Sequence, residues 1–205
     1  LSHVACAHFD TAQPLLATHE EEKNVLFILI ASDRGLAGGF NLKLQHEVEH
    51  RMKALHAKGI STSLITCGRK PTEYFTFRGV KPDLSFVGIS SEPTSDEADR
   101  IASFVMNGYI EQSIDRVMLM YWHAKNRVDQ VPVYEELLPV SRERLRMPNK
   151  PRVEKAVATV KPQPYTLYDF EPSAQVVLHD LMPAYLKTVI FHALLDSCLL
   201  YTSPS

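Results

Sequence analysis

Cysteine is scarce in this chain: three thiols, Cys6, Cys67 and Cys198, in 205 residues. The count is odd and the spacings are wide. A disulfide framework and a paired-cysteine zinc site are therefore not signalled, and the thiols read as reduced intracellular groups. An excess of charge is missing too. Lys and Arg number 22 against 24 Asp and Glu, a formal net charge of -2, which argues against a general nucleic-acid binder. No apolar run approaches the roughly 18 residues a membrane helix needs. The opening Leu1-Ser2-His3 lacks the basic-then-apolar order of a secretory signal. Internal repeats and low-complexity tracts are absent. What remains, 45% hydrophobic and 22% charged residues, is the composition of an ordinary globular protein of about one domain.

Residues 25–31 form a continuous run of branched and aromatic side chains, which reads as a strand buried on both faces of a helix-covered sheet. Asn41 stands where a helix cap is expected. Leu44, Val48, Met52 and Leu55 follow at helical spacing, and Gly59 ends that helix. Residues 63–67, 84–89, 116–124 and 131–140 read as further strands. Pro71 opens a short helix broken by Gly79 and Pro82, and residues 91–95 form a turn and cap before a helix to about Tyr109. Pro132 and Pro139 place the fifth strand at a sheet edge. The order predicts an α/β, Rossmann-like layered sheet, mostly parallel, with an edge β extension and the start of a long C-terminal helix.

The chain divides accordingly. Residues 1–24 lead into an α/β domain over 25–172. Within it, the Pro-containing stretch 141–164 is a basic loop or hairpin. Its Arg142, Arg144, Arg146, Lys150 and Arg152 offer a contact surface for an acidic partner or lipid head groups, or simply a solvated loop. Residues 165–170 read as a last short strand. Residues 173–197 begin a C-terminal helix with a wide apolar stripe that includes Tyr185, Leu186, Ile190 and Leu194 and that needs a partner, either this domain's sheet or another long helix. Pro183 is expected to kink or split it. Residues 198–205 break the helical pattern and read as a non-native tail.

The segment between the first strand and first helix, Ser32-Asp33-Arg34-Gly35-Leu36-Ala37-Gly38-Gly39-Phe40-Asn41, sits where a phosphate could bind. Its glycines run GxxGG, however. Neither the GxGxxG dinucleotide pattern nor GxxxxGK[ST] occurs, and Cys67-Gly68-Arg69 stands where a ribose-binding acid would. The turn itself, with Asp33 and Arg34 bracing it, is the simpler reading. His46 and His50 share a helical face, but HxxxH without a third ligand is an exposed face rather than a metal site. No nucleophile elbow, catalytic triad or paired carboxylates can be read from spacing. No cofactor is implied.

The same ten-residue segment resembles the SDRGL(C/A)GGFN signature of the γ subunit of F-type ATP synthases. Gly68-Arg69-Lys70, Tyr74-Phe75, Arg78-Gly79, Ile114-Asp115, Gln130, Leu137-Leu138-Pro139, Leu181-Met182-Pro183-Ala184-Tyr185-Leu186 and Ala193-Leu194-Leu195-Asp196-Ser197 agree with that family in order. The resemblance implies a central-stalk rotor subunit, non-catalytic in itself. It implies partners in the α and β subunits, the ε subunit and the membrane c-ring, and a peripheral place on the cytoplasmic face of a bacterial inner membrane, or on an organelle membrane. It makes Ser32, Asp33, Arg34, Gly35, Leu36, Gly38, Gly39, Phe40 and Asn41 candidate foot contacts and Tyr185, Leu186, Ile190 and Leu194 a rotor helix face. The family's N-terminal helix and its SEHxxRM-like stretch are not in this sequence, so the apolar stripe is expected to lack its helical partner and the chain to be marginally soluble. Two alternatives stay open: a phosphate- or nucleotide-binding α/β enzyme using the loop from Gly35 to Gly39, and a free-standing binding module.

Overall fold

The computed structural model describes residues 14–33, 39–89, 93–124, 130–140 and 174–202. Strand β1 (Asn24–Ile30) is the middle of a five-stranded sheet. It pairs in parallel with β2 (Ser61–Cys67) on one side and β4 (Arg116–Ala124) on the other. The short β3 (Leu84–Phe86) extends the sheet in parallel beyond β2. Strand β5 (Gln130–Leu138) closes the other edge, antiparallel to β4, with Pro132 opposite Trp122. The order is β3-β2-β1-β4-β5. The expected mostly parallel sheet with a β extension at its edge is what forms.

The apolar run of β1 serves two cores because its side chains alternate between faces. Val25, Phe27 and Leu29 pack with Leu44, Val48, Met52 and Leu55 of α1 (Gly39–His56) and with Phe75 of α2 (Arg69–Phe77). Leu26, Ile28 and Ile30 face the other way. They pack with Ile101, Val105 and Tyr109 of α3 (Ser95–Ile110) and with Met182, Leu186 and Ile190 of α4 (Ala174–Thr202). No described helix is long and apolar enough to cross a membrane.

Several local signals act as expected. Pro71 lies in the first turn of α2, where its missing donor costs nothing. Thr94 caps α3: its hydroxyl accepts from the Asp96 amide, and Glu97 reaches back to the Thr94 amide in a capping box. Others differ. Strand β2 starts two residues early, at Ser61, because its exposed polar end still pairs with Asn24. Strand β3 stops at Phe86, since Gly88 turns the chain at φ 87°. Asn41 is not the cap of α1 but lies inside its first turn, buried, with Oδ1 accepting from the Ser32 amide at 3.1 Å. It stabilises the strand exit instead of the helix entry.

The C-terminal helix is one element: of the two outcomes expected at Pro183, it does not split there. It continues past Ser197 to Thr202 rather than ending there, as the good helix former leucine at 199 and 200 permits. Its apolar stripe also has a partner within the chain. Met182, Tyr185, Leu186, Ile190, Ala193 and Leu194 are all buried against the sheet and α3. Of the two partners the pattern allowed, the domain's own sheet, together with α3, is the one that covers these residues. The strand expected at 165–170 lies outside the described residues.

The N-terminal segment is stapled to the base of the sheet. His19 Nδ1 lies 2.7 Å from Asp115 Oδ1, and the amides of Lys23 and Asn24 donate to Asp115 Oδ2. The His19 ring stacks on Tyr109, whose hydroxyl donates to the Ala17 carbonyl. Burial pushes the Asp115 carboxyl up, but the bonds from His19, Asn24 and Lys23 outweigh it and hold it below its ordinary range.

The tightest constraint is at Gly68, with φ 114°. A Cβ there would stand 2.2 Å from the Ala31 carbonyl oxygen, inside the strand exits. Gly68→Ala is expected to lower stability by about 3 kcal/mol, combining positive-φ strain with backbone overlap. Gly79→Ala, at φ 77° in open space, is expected to cost only about 1 kcal/mol. Urea denaturation of the two variants checks the contrast.

Candidate functional site

In an open α/β sheet a ligand is expected beyond the carboxyl ends of the strands, where the strand order reverses. Here that crevice lies beyond β1 and β4. Among the described residues, Phe40 and Trp122 meet there. Phe40, opening α1, meets Trp122 of β4 edge to face at 4.8 Å, and Trp122 Nε1 donates to the Phe40 carbonyl at 3.0 Å. Trp122 is buried.

The neighbouring position, the start of α2, is where free amides and the helix dipole favour an anion. Asp33 occupies it. Its Oδ1 accepts from the Arg69 amide at 2.8 Å and from the Gly88 amide at 2.7 Å. Ser32, fully buried, accepts from the Lys70 amide through its carbonyl at 3.1 Å. The sequence motif is thus a self-contained anion and anion site: a carboxylate on the β1 exit neutralises the α2 entry and pins the β3 exit. The structure therefore brings Ser32, Asp33 and Asn41 together with Gly68, Arg69 and Lys70. Gly39 and Phe40 open α1 on the surface. Arg34, Gly35, Leu36 and Gly38 lie outside the described residues.

Cys67, at the end of β2, is fully buried, and burial raises its thiol well above the ordinary range. A protonated, enclosed thiol is no nucleophile. His46 and His50 are exposed on α1. Among the described residues no three His, Cys, Asp or Glu side chains gather as a metal site would require.

Tyr74 and Arg78, of the second motif, reach α1. Glu49 accepts from Lys53 Nζ at 2.7 Å and from the Tyr74 hydroxyl at 2.6 Å, with Arg78 Nε at 3.3 Å. The Arg78 guanidinium carbon lies over the Tyr74 ring, 3.6 Å from its centroid. Lys53 first, then Tyr74, holds the Glu49 carboxyl down at about 2 against partial burial. Burial and the Glu49 bond together raise Tyr74 to about 12. The cluster clamps α2 onto α1.

The four residues expected on a rotor helix face, Tyr185, Leu186, Ile190 and Leu194, point into the domain. Polar contacts flank them: an ion pair of Lys187 with Asp99 of α3 at 2.6 Å, and a hydrogen bond between Asp196 and His123 of β4 at 2.6 Å. Sequence reasoning missed these pairs, as it missed His19–Asp115. The partners are 88, 73 and 96 residues apart, and no local pattern announces them. Arg142, Arg144, Arg146, Lys150 and Arg152 lie outside the described residues.

Comparison with known proteins is consistent across sequence and fold. Residues 1–199 match the sequence model of the ATP synthase family. The ATP synthase gamma chain of Heliobacterium modesticaldum is 34% identical over 197 residues, covering 96% of this chain and 64% of the relative. That of Desulforudis audaxviator is 36% identical over 198 residues, with the same coverage of 96% and 64%. The chain thus spans just under two thirds of the length of these relatives. The central stalk and c-ring structure of the Tetrahymena thermophila mitochondrial ATP synthase shares the fold, with a TM-score of 0.58 and 24% identity, over 89% of this chain and 72% of that one. The rotor of the Euglena gracilis mitochondrial ATP synthase shares it at a TM-score of 0.56 and 12% identity, over 97% and 69%.

Two outcomes follow for the site. Asp33→Ala strands the Arg69 and Gly88 amides and is expected to cost about 1–2 kcal/mol, whereas Asp33→Asn keeps an acceptor and costs less. Denaturant midpoints and amide exchange at residues 69 and 88 report it. Glu49 has a folded pKa below its ordinary 4.5. Its contribution to stability is therefore full above about pH 4.5 and is lost as pH falls toward about 2. Glu49→Gln is expected to flatten that part of the acid limb in pH-dependent denaturation.

Proposed function

This chain belongs to the ATP synthase γ-chain family, and we propose that it forms the foot of a central-stalk rotor subunit in a proton-translocating F-type ATP synthase. The subunit has no catalytic site of its own. In this reading it couples rotation of the membrane c-ring to the catalytic sites of the β subunits. It also touches the α and ε subunits, and lies peripherally on the cytoplasmic face of a bacterial membrane or on an organelle membrane.

The observation that carries the reading is the way α4 is built into the sheet. A rotor shifts other subunits only through contacts that differ between their states, and it must not yield while doing so. Five large side chains of α4, Met182, Tyr185, Leu186, Ile190 and Leu194, are buried in the domain, each worth roughly 2 kcal/mol of burial. Lys187–Asp99 and His123–Asp196 tie the same helix to α3 and β4. A helix held this way turns with the sheet. The Asp33 carboxylate, which takes the Arg69 and Gly88 amides, occupies the position at the start of α2 where a phosphate would bind, and so favours the rotor reading over a nucleotide enzyme. Gly39 and Phe40, on the surface at the start of α1, and the basic Arg142, Arg144, Arg146, Lys150 and Arg152 are the proposed contacts of the foot.

The full-length subunit, co-produced with α, β and ε subunits and a c-ring, is expected to assemble, hydrolyse ATP and pump protons. Leu186→Ala with Ile190→Ala loosens the helix root by about 2–5 kcal/mol per site. Proton pumping is then expected to fall more than hydrolysis. A subunit that fails to assemble, or that binds ATP or ADP tightly by itself in calorimetry, overturns the reading.

A further inference from the structure

Residues 14–23 lead into the sheet as a short turn and an irregular stretch, yet they are tied down along their length. Leu15 is buried in the α3–α4 core, and its carbonyl accepts from the Val140 amide at 3.1 Å. The Ala17 carbonyl accepts from the Tyr109 hydroxyl of α3. His19 stacks on the Tyr109 ring at 4.4 Å and lies 2.7 Å from Asp115. Glu22 meets Arg116 of β4 at 3.1 Å. The Lys23 amide donates to Asp115 at 2.8 Å, and the Lys23 carbonyl accepts from the Ser61 amide of β2 at 2.8 Å. Successive ties are never more than three residues apart, so there is no slack to straighten before a pull reaches the sheet.

Seating β1 does not require all this. That strand is the middle of the sheet and pairs in parallel on both sides. Nor is the His19–Asp115 contact chiefly a source of stability. Its side chains are 13% and 8% exposed, and desolvation of so enclosed a polar pair offsets much of its attraction. What the contact fixes is position.

The ties mirror those of the C-terminal helix. Helix α4 grips α3 at Asp99 and β4 at His123. The entry segment grips α3 at Tyr109, and the start of β4 at Asp115 and Arg116. The two points on α3 are ten residues apart, about 15 Å along the helix. His123 and Arg116 are seven residues apart, about 23 Å along the strand. The same two elements are thus held at opposite ends, one end by each passage of the chain.

We infer that His19, Tyr109 and Asp115 form a second mechanical anchor of the rotor, through which twist carried by the chain before Pro14 enters the base of the sheet. The inference rests on the rotor reading and adds a load path to it. Helix α4 by itself would drive the sheet from the carboxyl ends of its strands. With the second anchor α3 and β4 are loaded at both ends, and the close-packed interior passes the strain between them. His19, Tyr109 and Asp115 act here as positioning residues, since they hold the entry segment and touch no reacting group.

The test uses the full-length subunit assembled with α, β and ε subunits and a c-ring. His19→Leu keeps the bulk and removes the contact to Asp115. Tyr109→Phe keeps the stack and removes only the bond to Ala17. In complexes that assemble, both are expected to leave ATP hydrolysis near its normal rate when no proton gradient opposes rotation. Against an opposing gradient, protons pumped per ATP are expected to fall by about twofold. His19→Asn, which keeps a donor for Asp115, is expected to recover most of the loss. With the β subunits fixed to a surface, the angular spread of a bead on the stalled c-ring is expected to widen in His19→Leu. A purely structural staple would lower the thermal midpoint and reduce pumping and hydrolysis alike, with or without a gradient. That result, or pumping unchanged under load in both variants, overturns the inference and leaves the rotor reading standing. Failure of the unaltered subunit to assemble and pump overturns the rotor reading, and this inference with it.

Discussion

The Asp33 carboxylate joins three strand exits through backbone amides. It leaves β1, takes the first amide of α2 just beyond β2, and takes the Gly88 amide just beyond β3. The contact works only because Gly68 has no side chain, since the Ala31 carbonyl stands where a Cβ would be. The Gly68 amide in turn donates to the Phe86 carbonyl at 2.7 Å. One side of the sheet is thus drawn together at its carboxyl end by short, mutually dependent bonds. Charge and helix dipole reinforce each other there. An anion-binding geometry common among α/β folds has been turned inward and made structural.

Legibility in the sequence followed range of interaction. The 25–31 run named its strand because burial on both faces leaves no polar positions, and the same logic gave the parallel sheet. Prolines 132 and 139 marked the edge strand, since a residue without an amide donor is tolerated there. Asn41 misled because a short polar side chain before an apolar helix is usually a cap, while here the bond runs backward to Ser32. The glycines at 35, 38 and 39 drew attention that belonged equally to Gly68, whose necessity comes from a chain segment 37 residues earlier. The α4 stripe was read correctly as needing a partner. Periodicity alone does not say whether that partner is a helix or a sheet. The clamps Glu49–Tyr74, His19–Asp115 and His123–Asp196 join residues that no spacing rule relates.

The two faces of the sheet carry different duties. The α1–α2 face is closed by aromatic and ionic contacts near its surface, and keeps exposed apolar residues, Leu42 and Phe77, at its rim. The α3–α4 face is the drier one, and its hold on α4 is mostly burial. Together they place a rigid body on one side and an adaptable surface on the other, within one five-stranded frame.

Lys187 and Asp196 lie nine residues apart on α4, about 14 Å along its axis, and grip different elements, α3 and β4. Two anchors on separate supports resist both rolling and tilting, as a single hinge cannot. Any twist applied along this helix therefore enters the sheet as a couple, and its base adds little elastic give. The compliance of a longer shaft would reside above Asp196, in whatever helix extends beyond the clamp.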